Sequence, residues 1–108
     1  MGEILYGKLV RDKIPEIISA DGETPVTRVL GTTEFRRELL LKLLEEVKEL
    51  VESDGDISEL ADVAEVQKAL HPLLGYTDEE IEAARAAKAE TRGGFEQRIY
   101  LEKAITND

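Results

Sequence analysis

Leu39-Leu40-Leu41-Lys42-Leu43-Leu44-Glu45-Glu46-Val47-Lys48-Glu49-Leu50-Val51, the pair Asp54-Gly55, and Asp56-Ile57-Ser58-Glu59-Leu60-Ala61-Asp62-Val63-Ala64 together decide the fold. On a helix turning about 100° per residue, Phe35, Leu39, Leu40, Leu43, Val47, Leu50 and Val51 fall on one apolar stripe. Leu60, Val63, Ala64, Val66 and Leu70 define a second arc. Asp54-Gly55 makes a turn between them. The reading is an antiparallel helical hairpin over 32–53 and 56–71, centred at residue 54.

Outward from the hairpin, Thr32-Thr33-Glu34 supplies cap-type residues and a first-turn acid for the first long helix. Asp56 and Glu59 resemble a capping box at the start of the second, and Pro72 ends or kinks it. A third helix opens at Thr77, with Glu80 completing a capping box, runs to about Thr91, and stops at Gly93-Gly94. Before the hairpin, Pro15 suits the first turn of a short helix ending near Asp21-Gly22. Residues 25–30 and 97–103 alternate like short strands and predict one short peripheral β-hairpin, a final helical turn being the alternative for the second. The expected fold is mainly α, a small helical bundle formed as one domain over 1–108.

Composition agrees with helix: 42% of residues are hydrophobic and only 5% aromatic. The net charge of −10 argues against binding to a nucleic-acid backbone, which needs a basic face. With no cysteine and one histidine, disulfides, thiolate sites, His-rich zinc sites and a Ser-His triad drop out. A bound metal would therefore be hard and oxygen-loving, Mg²⁺ or Mn²⁺. No apolar run reaches the length of a membrane span, and Lys8, Arg11, Asp12 and Lys13 interrupt any leader, so no membrane partner and cytoplasmic residence are expected.

Carboxylates interrupt both apolar arcs. Glu46 projects between Phe35 and Leu39, with Glu49 at the stripe's edge; Glu59 projects between Val66 and Leu70, with Asp62 at the margin. A charge buried this way is costly unless paired or metal-bound. In the antiparallel hairpin Glu49 lies level with Glu59, and Glu46 with Asp62, so four carboxylates converge between two helices. Cations are the natural remedy for that repulsion. The competing reading is a solvated acidic face in which Lys42 and Lys48 neutralise Glu45, Glu46 and Glu49.

Lys88, Arg92 and Arg98 are candidate phosphate contacts beside Gly93-Gly94, or else cations that complement a helix C-terminus. Lys8, Arg11 and Lys13 either reach a ligand or pair with the acidic surface, and pairing is the simpler reading. His71 reads as a hydrogen-bonded core histidine, and Gln67 as an inward side chain bridging helices.

Glu45-Glu46-Val47-Lys48-Glu49 followed by Glu59-Leu60-Ala61-Asp62 resembles the EExxE…ExxD motif of the MazG-type, all-α NTP pyrophosphatase superfamily. Lys8-Leu9-Val10-Arg11-Asp12-Lys13-Ile14-Pro15 and Arg92-Gly93-Gly94-Phe95-Glu96-Gln97-Arg98-Ile99-Tyr100-Leu101 are similar to motifs of its phosphoribosyl-ATP pyrophosphohydrolase-like branch. The resemblance implies a homodimer or homotetramer that binds Mg²⁺ through Glu46, Glu49, Glu59 and Asp62. It also implies cleavage of a nucleotide between its α- and β-phosphates, with Glu45, Glu46 and Glu49 as the catalytic acids. The interval between Glu49 and Glu59 is shorter than in many members, so the turn is tight. A house-cleaning (d)NTP pyrophosphohydrolase is the leading expectation. The alternatives are phosphoribosyl-ATP pyrophosphohydrolase and a non-catalytic acidic helical interaction module.

Overall fold

The computed structural model of the chain describes residues 2–106. Four helices follow one another: α1 (Ile14–Ala20), α2 (Thr32–Glu52), α3 (Ile57–Leu73) and α4 (Asp78–Arg92). The chain divides into two compact units, Met1–Gly75 and Tyr76–Asp108. The fold is mainly α, as the helical periodicity predicts.

In the first unit α2 and α3 pack as the expected hairpin. Its turn follows from local hydrogen bonding. Gly55 N–H donates to the Leu50 carbonyl and Asp54 N–H to that of Val51, both at 3.1 Å, the paired pattern that closes a helix C-terminus. Asp54 (φ 56°) and Gly55 (φ 92°) both take left-handed backbone to make it. Ser53 Oγ donates to the Leu50 carbonyl and accepts from Asp56 N–H, linking the end of α2 to the start of α3. Asp56 then caps α3 by accepting from Ser58 N–H at 2.8 Å. Pro72 stays inside the last turn of α3.

The core is small. Leu39 of α2 and Val66 and Leu70 of α3 are buried together, with Leu9, Phe35, Leu43, Leu73 and Leu74 packed against them. Leu40, Val47 and Val51, assigned with Leu39 to one stripe, instead lie 44%, 40% and 72% exposed. The stripe is wider than α3 can cover. The Leu39 side faces α3, and Leu40, Leu44, Val47 and Val51 form a second apolar row, spaced i, i+4, i+7 and i+11. Leu60 and Ala64 of the α3 arc are exposed as well, and so is Gln67, which therefore does not point inward.

The peripheral β-hairpin does not form: among the described residues there is no strand. Residues 25–30 form no regular element, and Val26 and Val29 are almost fully exposed, so no face is covered and no ladder pays the ordering cost. Arg28 fixes the segment by gripping the Glu34 carboxylate with both terminal nitrogens, at 3.0 and 2.6 Å. In 97–103, Arg98 adopts φ 57° and its N–H donates to the Phe95 carbonyl, so a turn breaks the extended run.

In the second unit, Thr77 and Glu80 close a reciprocal capping box at the start of α4. Gly93, at φ 83°, ends it. No helix among the described residues is long and apolar enough to cross a membrane.

Candidate metal centre

Lys42, Glu45, Glu46 and Glu49 recur at intervals of three and four on α2, so they share one side of that helix. Glu59 enters the same region from the first turn of α3, which the tight 53–56 turn brings back alongside α2. Carboxylate oxygens of Glu46, Glu49 and Glu59 lie within 4.8 Å of one another.

Glu46 is buried, only 6% exposed, in the floor of this cluster. Its Oε1 is 3.3 Å from Lys42 Nζ, which also stands 3.5 Å from Glu45 Oε2. Its Oε2 is buried with no hydrogen-bond partner, and so is Glu59 Oε2. Burial pushes the Glu46 carboxyl above the ordinary range and the adjacent Glu49 pushes it further, while the Lys42 ammonium opposes both. Glu59 does not turn back to complete the capping box expected with Asp56; its carboxyl belongs to the cluster instead.

Asp62 has another engagement. Its Oδ1 accepts from Arg11 Nη2 at 2.6 Å, a contact 51 residues apart in sequence. Lys8 Nζ lies 3.8 Å from Glu45 Oε1. Lys8 and Arg11 thus pair with the acids, as the simpler reading expects. Lys48 pairs with Glu52 rather than with the cluster. Lys88 and Arg92 sit on α4 and Arg98 follows it, all three in the second unit. His71 is half-buried in the last turn of α3.

The donor set suits a hard cation. Oxygens around an octahedral Mg²⁺ lie about 3.0 to 4.2 Å apart, given Mg–O distances near 2.1 Å. Three carboxylates already within 4.8 Å need only small side-chain adjustments to share one ion. The two orphaned oxygens supply lone pairs that no protein donor takes.

Among known proteins, one match is an uncharacterised protein of Mycolicibacterium smegmatis, 53% identical over 47 residues. The matched stretch is 44% of this chain and 48% of that protein, so the chain aligns with about half of its relative. No model of a known protein family matches the chain. No solved structure matches it.

Proposed function

We propose that the protein is a Mg²⁺-dependent nucleotide pyrophosphohydrolase, converting an NTP or dNTP to the monophosphate and pyrophosphate. One observation carries the reading: carboxylates of Glu46, Glu49 and Glu59 converge from two helices while Glu46 Oε2 and Glu59 Oε2 stay buried and unpartnered. A purely solvated acidic face leaves no such atoms. The resemblance of the two acidic motifs to the MazG-type superfamily supports the same reading.

Glu46, Glu49 and Glu59 would hold the cation, and Asp62, one turn beyond Glu59 on α3 and held by Arg11, would be a fourth ligand once that pair opens. A divalent ion there would neutralise charge developing on the phosphate oxygens and lower the pKa of a bound water. The protein's own acids hold that ion against the floor of the site and accept the water's proton. Glu45 and Glu49, both half-buried at the rim, are the candidates for the proton. Mn²⁺ fits the same oxygen set. Nucleotide turnover of this kind belongs in the cytoplasm.

The reading includes a homo-oligomer. Leu40, Leu44, Val47 and Val51 run along about 17 Å of α2 without cover in the first unit, and a second copy would bury them.

The test is pyrophosphate release from a panel of NTPs, dNTPs and phosphoribosyl-ATP, in Mg²⁺ and in EDTA, with Glu46→Gln alongside. Metal-dependent release lost in the variant supports the reading, and the preferred substrate separates house-cleaning from histidine-pathway chemistry. No turnover of any member of the panel overturns it in favour of a non-catalytic acidic module.

A further inference from the structure

Resting on that reading, we propose that Arg11 is a phosphate-binding residue that exchanges partners: without ligand it holds Asp62, and with a cation-bound polyphosphate it passes to phosphate oxygens and releases Asp62 to the cation. The placement comes from the N-terminal segment. Leu9 packs on the Leu39–Val66–Leu70 core and fixes the chain between α2 and α3. Lys8, on one side of that anchor, reaches Glu45 of α2, and Arg11, on the other, reaches Asp62 of α3. Two cations are thereby brought to the rim of the carboxylate cluster. Asp62 follows Glu59 by three residues and shares its side of α3, so the carboxylate Arg11 holds stands one helical turn from a member of the cluster.

The pair is built to be broken. Its side chains are 56% and 35% exposed, and among the described residues only Nη2 of the guanidinium donates to Asp62. Competing with an exposed pair costs an incoming cation a factor of about five or less. A polyphosphate carries several oxygens suited to the planar guanidinium fork, whereas the surrounding acids offer an anion nothing. Bound together, cation and polyphosphate give Asp62 and Arg11 each a better partner than the other.

The experiment titrates Mn²⁺ alone into the full chain, followed by electron paramagnetic resonance, and measures KM and kcat for a Mg²⁺–nucleotide, for wild type, Arg11→Gln and Arg11→Lys. Arg11→Gln is expected to bind Mn²⁺ alone up to about fivefold more tightly, because Asp62 is freed. Its KM should nevertheless rise about tenfold or more, with Arg11→Lys restoring part of the loss. An unchanged KM, or Mn²⁺ binding no tighter than wild type, overturns the exchange while wild-type binding and turnover leave the enzyme reading standing. A wild-type chain that neither binds Mn²⁺ nor turns over nucleotide overturns the enzyme reading itself, and the exchange with it.

Discussion

Glu46 and Glu59 come from different helices, bring carboxylate oxygens within 4.8 Å of each other, and each keep Oε2 buried without a partner. Lys42 offsets part of that charge through Glu46 Oε1, but its ammonium reaches only the α2 side. Two carboxylates held this close in a poorly hydrated place are stable together only if one takes a proton or both take a cation. The fold thus carries a cost at this point, and the cost is removed by whatever neutralises Glu46.

Stability without metal should therefore depend on pH in an unusual direction. The Glu46 carboxyl titrates above its ordinary value of 4.5, so the fold favours its neutral form. The contribution of Glu46 is greatest below that ordinary value and is lost as pH rises through the raised one. Urea melts in EDTA should show Glu46→Gln equal to wild type at acid pH and more stable than wild type at pH 7. A variant less stable at pH 7 would show that the charged form is the favoured one.

The exposed row on α2 predicts self-association. Leu44 is 68% exposed at its centre. Leu44→Lys, a change to another good helix former, should leave the circular dichroism spectrum unaltered and shift the mass measured by light scattering to that of one 12.0 kDa chain. A wild-type chain that is itself monomeric at micromolar concentration would remove the row as an interface.

The α2–α3 turn carries a removable penalty. Asp54 sits at φ 56° just past the C-terminus of α2, where the helix dipole is negative, and the last turn of α2 contains no basic residue. Asparagine tolerates the left-handed backbone and removes the charge. Asp54→Asn should stabilise the chain by about 0.5 kcal/mol in thermal or urea unfolding, with no effect on metal affinity.

The core has little redundancy. Leu70 is 3% exposed and touches the residues that join α3 to α2. Leu70→Ala should cost about 3 kcal/mol, enough to unfold a substantial fraction of a domain this small at 37 °C. A cost well under 1 kcal/mol in urea unfolding would mean that Leu70 is not an anchor of the hairpin.

The helices were legible because their signals are local. Asp54-Gly55 marks the hairpin turn, Thr77 with Glu80 the start of α4, and Gly93 its end, and each rests on hydrogen bonds within a few residues. The burial of Glu46 was legible too, since helical period alone sets it among Phe35 and Leu39. The partner of Asp62 was not, because Arg11 is 51 residues away and periodicity carries no information at that distance. Nor could periodicity separate Leu39 from Leu40: it defines an apolar arc, and the width that α3 covers decides which residues of the arc are buried. The strand-like alternation of 25–30 misled for a related reason, since a strand needs a partner that the pattern does not name.

Everything proposed for the site depends on whether its carboxylates hold a divalent cation. The direct measurement is equilibrium Mn²⁺ binding to wild type, Glu46→Gln and Glu59→Gln by calorimetry at pH 7. Wild type should bind Mn²⁺ saturably, and each variant about tenfold or more weakly, since losing a ligand costs at least what losing a ligand's supporting partner does. No binding in wild type, or equal binding in all three, would contradict it.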